Sequence, residues 1–85
     1  MKKIIMGIQV GNRFEDVEKV QNLLTEYGCF IKTRLGLHQQ AEFKEICTEK
    51  GLIILEMVRD SDEKSMELKE KLNEINEVVA KTMEF

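Results

Sequence analysis

Apolar residues follow two different spacings along this chain, and the change between them marks the first predicted elements. Residues 4–10 alternate in steps of two, which is typical of a β-strand. Residues 14–27 then place apolar side chains at helical spacing, after an Asn12 suited to the N-cap and a Glu15 suited to a capping box. We therefore expect a strand followed by a helix that ends near Gly28. Their apolar residues are Ile4, Met6, Ile8 and Val10, then Val17, Val20, Leu24 and Tyr27.

The rest of the chain repeats the strand and helix signals in a recognisable order. Residues 29–37 alternate again, and residues 51–59 are apolar on both faces except at Glu56, as expected of a central strand. Asp60 or Ser61 caps a second helix with an apolar stripe through residues 68–75, and residues 78–85 form a last strand. The order βαββαβ predicts an α+β, ferredoxin-like domain. Its four-stranded antiparallel sheet carries both helices on one face, with the first and third strands in the centre.

Length and composition limit what such a chain does. Its 85 residues make a single domain spanning 1–85. A chain of this size buries only about 60% of its unfolded surface, so a homo-oligomer, either a dimer or a tetramer, is expected to add burial. Residues 38–50 form a longer connection than a hairpin needs, and such excursions are often functional.

Charge and hydropathy exclude several classes of partner. The net charge is −3 and no basic stripe is present, which argues against direct binding of nucleic acid. No apolar run approaches the roughly 20 residues that cross a membrane, and the first residues do not form a secretory signal. Cys29 and Cys47 have neither disulfide nor zinc spacing, which suits a reducing cytoplasm, and we expect Cys29 in the core.

One sheet face combines charged and apolar positions. Lys32 and Arg34 share a strand face, and Glu56 is expected on the same side of the sheet. This pattern fits an anion-binding face, a salt-bridged surface or a contact between subunits. We favour the subunit contact, because mixed apolar and charged faces are typical of interfaces. The predicted interface consists of Ile5, Phe30, Lys32, Ile54, Glu56 and Val58.

Candidate ligand-binding residues lie where strands end. Gly11, Asn12 and Arg13 form the first strand-to-helix turn. The backbone N–H groups at this helix start can bind an anion, or the turn is only an ordinary capped start of the helix. Arg34 and His38 are the other two candidates for a small-molecule effector site. The alternative hypothesis is that His38 and Cys47 form a metal-binding or redox-sensing pair. Otherwise, His38 is an ordinary loop residue and Cys47 is a small buried residue. No catalytic motif is present, so we do not expect an enzyme, and the sequence does not identify a cofactor.

Residues 28–38 and 51–55 carry a family resemblance, centred on Arg34-Leu35-Gly36-Leu37-His38 and Gly51. They resemble the small ACT-like family labelled as regulators of the iron-only hydrogenase system, which is similar to the C-terminal effector domain of the nickel-responsive repressor. The resemblance implies a ferredoxin-like, oligomeric regulatory domain that packs sheet faces or edges. The chain has Gly11-Asn12-Arg13-Phe14 where amino-acid-binding ACT domains carry an Asp-Arg-Pro-Gly type of turn, and it has one histidine where the nickel site uses several. A regulator of transcription would need a partner, because no DNA-binding segment is present.

Overall fold

A computed structural model describes residues 3–11, 14–39 and 50–85. The predicted order βαββαβ is confirmed, with a single 3₁₀ turn added before the second strand. The strands form one antiparallel sheet in the order β2-β3-β1-β4, so β1 and β3 are central as expected. The elements are β1 (Ile4–Val10), α1 (Phe14–Glu26), the 3₁₀ turn (Gly28–Phe30), β2 (Ile31–Gln39), β3 (Lys50–Met57), α2 (Asp62–Asn73) and β4 (Val78–Glu84).

The core lies between the helices and one face of the sheet. Alternate residues of β1, β3 and β4 point into it, since successive side chains of a strand face opposite sides. Each helix contributes one stripe of apolar side chains to this core. Both helices therefore cover the same face of the sheet, and α1 and α2 leave the other face uncovered. The buried apolar residues are Ile4, Met6, Ile8, Val10, Val20, Leu24, Tyr27, Ile53, Leu55, Met57, Leu68, Leu72, Val78 and Ala80.

A β-bulge between Ile31 and Thr33 inverts the faces that we expected for β2. Ile31 is opposite Met57, but Thr33 is already opposite Glu56, so one extra residue lies between them. Because the side-chain period of a strand is two, one inserted residue moves every later side chain to the other face. Arg34 is therefore opposite Leu55, on the helix side of the sheet, and the expectation that it shares a face with Glu56 is wrong.

Two further placements differ from the sequence analysis. Phe30 belongs to the 3₁₀ turn and packs against the core, so it is not on the uncovered sheet face. Cys29, in the same turn, is exposed and not part of the core. The physical cause is that residues 28–30 continue the end of α1, and β2 begins only at Ile31. Asn12, Arg13 and Cys47 lie outside the described residues.

Asn73, the last residue of α2, is tied to the free edge of β4. Its Nδ2 donates to the backbone oxygen of Ala80 over 3.0 Å, and its Oδ1 accepts from the backbone N–H of Ala80 over 2.8 Å. The side-chain amide thus takes the place of a neighbouring strand at this position. Exposed strand edges are templates for pairing with other chains, and this bond pair blocks part of one edge.

We expect Asn73→Ala to destabilise the domain. The substitution removes two hydrogen bonds and leaves one backbone donor and one acceptor of β4 to water. At about 0.5–1.5 kcal/mol for each bond, the free energy of unfolding should fall by about 1–3 kcal/mol. Urea unfolding followed by circular dichroism measures this change.

Asn22→Ala is the matched control, because Asn22 is an exposed residue of α1. Alanine favours helix, so the control should be neutral or slightly stabilising. Equal stability of Asn73→Ala and the wild type would show that the amide contributes nothing to the edge of β4.

Candidate functional site

A cavity of about 330 Å³ lies between α1 and the helix side of the β2–β3 hairpin. Its walls come from the end of β1, one side of α1 and the two hairpin strands, and they are mostly apolar. We call it the hairpin cavity. It is lined by Val10, Gly11, Val17, Val20, Gln21, Gly36, Leu37, Gly51, Leu52 and Ile53.

Two glycines explain why this space is empty. Gly36 is opposite Ile53, and Gly51 is opposite Val10, and both of these partners are buried on the helix side. Gly36 and Gly51 therefore occupy helix-side positions without contributing side chains to the core. A Cβ atom built on either glycine would meet no heavy atom within 4 Å. The sheet lies under α1 here, and no side chain among residues 3–11, 14–39 and 50–85 whose placement is described fills the gap.

Two polar side chains lie together at one wall of the hairpin cavity, Gln21 in the lining and Arg34 beside it. Gln21 lines the cavity from α1, and its Oε1 accepts a hydrogen bond from Nη2 of Arg34. This bond leaves the NH₂ group of Gln21 and the other guanidinium N–H groups of Arg34 to donate elsewhere. A group that accepts hydrogen bonds, such as a carboxylate or a carbonyl, suits this end of the cavity.

One predicted ligand-binding residue lies in the wall of the hairpin cavity, and two others have neighbours in that wall. Gly11 lines it, and Arg34 contacts it through Gln21. His38 lies in β2 with its backbone opposite Gly51, one of the lining residues. The roles predicted for Asn12, Arg13 and Cys47 stay predictions, because these residues are outside the described parts of the chain.

Sequence reasoning missed the residues that shape the cavity most. Nothing in the sequence placed Gln21, Gly36 or Gly51 among the candidate site residues. The available signal was that glycine occurs at alternate positions with Arg34 and His38 in β2. This signal is informative only if one knows which face of β2 these residues occupy. The β-bulge at Ile31/Thr33 changes that face and cannot be recognised from the alternation alone.

The uncovered side of the sheet is a second candidate surface, which we call the open face. Its residues form cross-strand rows, in which Leu35, Ile54, Gly7 and Lys81 follow one another from β2 to β4. One flanking row contains Leu37, Leu52, Gln9 and Val79, and the other contains Thr33, Glu56, Ile5 and Met83.

Glu56 is the carboxylate at one end of the open face. Lys3 and Lys32 approach its Oε2 to 3.7 and 3.9 Å, and the hydroxyl of Thr33 donates to its Oε1 over 3.3 Å. The prediction that Lys32 lies near Glu56 is thus confirmed, although Arg34 is not part of this group. Val58 lies just past β3, where its N–H donates to the backbone oxygen of Phe30 over 2.9 Å.

Asp16 is a buried carboxylate in the first turn of α1. Among the described residues, none forms a hydrogen bond with its Oδ2 atom. A negative charge at this end of a helix interacts favourably with the helix dipole, which offsets part of the cost of burial. Asp16 is not among the residues that line the hairpin cavity.

Other functional features are limited within residues 3–11, 14–39 and 50–85. No group of three or more His, Cys, Asp or Glu side chains in these segments is arranged to hold a metal ion. No helix in these segments is long and apolar enough to cross a membrane.

On α2, a hydrogen bond from Lys64 lowers the pKa of Glu67, and a hydrogen bond with Tyr27 raises the pKa of Lys71.

Comparisons with known proteins establish the fold and nothing finer. No protein-family model matches the chain, and no curated protein matches it. An uncharacterized protein from Thermotoga maritima has a similar structure, with a TM-score of 0.69 and 24% identity over 100% of this chain and 99% of its own. An unknown protein from Galdieria sulphuraria gives a TM-score of 0.67 and 15% identity; the match covers 99% of this chain but only 49% of that one.

We expect Gly36→Ala to stabilise the domain. The added methyl group enters empty space, and none of the glycines among the described residues has a positive φ, so alanine can adopt the same backbone conformation. Alanine has less backbone freedom than glycine in the unfolded chain. The substitution should therefore raise the free energy of unfolding by about 0.5–1 kcal/mol. Urea unfolding measures the difference from the wild type.

Gly11→Ala provides the opposite case. A Cβ on Gly11 would lie 2.7 Å from Oε2 and 3.0 Å from Cβ of Glu77, so this substitution should lower stability. If Gly36→Ala is as destabilising as Gly11→Ala, the space above Gly36 is not empty.

Proposed function

We propose that this protein is a regulatory module that binds a small molecule in the hairpin cavity and has no catalytic activity of its own. The observation that carries the proposal is the space above Gly36 and Gly51, which no residue in the described part of the chain fills. A small domain loses stability through such a gap, because glycines weaken strands and cavity walls lack partner atoms. A ligand that fills the gap would restore the missing contacts and so offset this loss of stability.

The size and chemistry of the cavity define the class of ligand. About 330 Å³ is at the small end of the roughly 300–1,000 Å³ range of ligand pockets. The valine and isoleucine side chains in the lining favour an apolar body, while the donors of Gln21 and Arg34 favour an acceptor group. A small aliphatic molecule with a carboxylate or carbonyl at one end meets both requirements.

A regulatory role follows from what the chain offers around this cavity. The module provides a binding site and broad surfaces, and its sequence has no catalytic motif. The resemblance of residues 28–38 to the ACT-like regulators of the iron-only hydrogenase system supports the same role. We propose that the module is cytoplasmic and acts as a homo-oligomer that controls a partner protein. If that partner binds DNA, the module would regulate transcription through it.

The second hypothesis is a metal-binding or redox-sensing protein that uses His38 and Cys47. It rests on the sequence alone, since Cys47 is outside the described residues. Loss of metal retention or thiol sensitivity on His38→Ala or Cys47→Ala would support it, and unchanged behaviour of both variants would remove it.

Thermal unfolding with straight-chain carboxylates, from butanoate to octanoate, tests the ligand-binding proposal. We expect the carboxylates to raise the Tm, and the corresponding alcohols to have a smaller effect. A ligand at a hundred times its Kd stabilises the folded state by about 2.7 kcal/mol, and each kcal/mol shifts the Tm of a domain of this size by roughly 4–8 °C.

Gly36→Val should abolish the shift by filling the cavity. Gly28→Val is the matched control, because Gly28 lies outside the cavity and a Cβ there also meets only open space. Arg34→Gln should weaken carboxylate binding more than alcohol binding. If Gly36→Val and Gly28→Val respond to the carboxylates alike, the hairpin cavity is not the site.

A further inference from the structure

We propose that the open face packs against the open face of a second copy of this chain, giving a dimer of two sheets between two helix layers. The inference is independent of ligand binding in the hairpin cavity, which lies on the other side of the sheet. It rests on the apolar content, charge pattern and size of this face, and on the blocked edge of β4.

The apolar content of the open face is unusual for a surface exposed to water. Leu35 and Met83 are 51% and 58% exposed, and Leu37 and Val79 are exposed beside them. Together with the half-buried Ile5, Leu52 and Ile54, these residues place apolar side chains on all four strands, with Gln9, Glu56 and Lys81 between them. Large contiguous apolar patches mark interaction sites on soluble proteins.

One pair of charges on this face suits an identical partner. Glu56 lies on β3, where Lys3 and Lys32 of the same copy approach it, and Lys81 lies on β4 in the neighbouring row. No carboxylate within the described residues forms an ion pair with Lys81. A two-fold axis maps each position of a face onto the partner, so Lys81 of each copy can meet Glu56 of the other. The midpoint between Glu56 and Lys81 falls on β1, between Ile5 and Gly7, near the centre of the face.

The dimensions of the face approach those of a standard interface. Four strands about 4.8 Å apart and about seven residues long cover roughly 20 by 23 Å. Protruding side chains make the accessible area larger than this flat rectangle, which brings it towards the ~800 Å² per partner of a standard interface. At the half-buried Gly7 in the central row, a Cβ atom would meet no heavy atom within 4 Å, which leaves room for a side chain of the partner.

Assembly through strand edges is less favourable in this molecule. The amide of Asn73 already occupies both backbone groups of Ala80 on the free edge of β4. At the other edge, the bulge in β2 disturbs the regular ladder that an added strand would need. The face, in contrast, presents its apolar side chains without obstruction from α1 or α2.

Light scattering coupled to size-exclusion chromatography tests the proposal at protein concentrations on the order of 100 µM. The wild type should have twice the monomer mass of 9.9 kDa. Leu35→Lys and Met83→Lys, at opposite edges of the sheet, should each weaken the dimer by roughly thirtyfold or more and give monomers. Both positions are exposed in one copy, so circular dichroism should show folded variants.

Met66→Lys is the matched control, since Met66 is 47% exposed but lies on α2. It should remain dimeric. The proposal is overturned if the wild type is monomeric, if Met66→Lys dissociates as readily as Leu35→Lys, or if only one of the two open-face variants dissociates. The last result would identify pairing through one strand edge instead of packing of the whole face.

Discussion

The antiparallel pairing of β1 with β3 is the constraint on which the other elements depend. These two strands alone have a neighbouring strand on each side in the sheet β2-β3-β1-β4. Their helix-side residues include Met6, Ile8 and Leu55, which are fully buried. Both helices cover this central pair, so the register of β1 on β3 decides which residues enter the core and which form the open face.

The sequence predicted this central part of the fold well, and the physical reason is redundancy. Strict alternation in β1, a run apolar on both faces in β3 and two capped amphipathic helices all favour one topology. The edge strand β2 was predicted with its faces inverted, because the bulge at Ile31/Thr33 has no local signature. The apolar Leu35 and Leu37 suggested a core-facing side, whereas they lie on the open face.

The candidate site could be predicted only in part, because a cavity is defined by side chains that are missing. The turn containing Gly11 and the basic residue Arg34 were identified from residue type alone. Gly36 and Gly51 acquire a role only when the register places both on the helix side of adjacent strands. Gln21 likewise becomes relevant only when Arg34 is moved to that side by the bulge.

Strand β3 connects the two surfaces to which we assign functions. Ile53 lines the hairpin cavity, and the next residue, Ile54, lies in the central row of the open face. A backbone adjustment that widens the cavity for the proposed ligand would therefore also move side chains at the proposed contact with a second copy. Because coupling between two binding events is reciprocal, a ligand that strengthens the dimer is itself bound more tightly by the dimer. With the proposed ligand site on one face of the sheet and the proposed interface on the other, β3 itself would couple the two binding events.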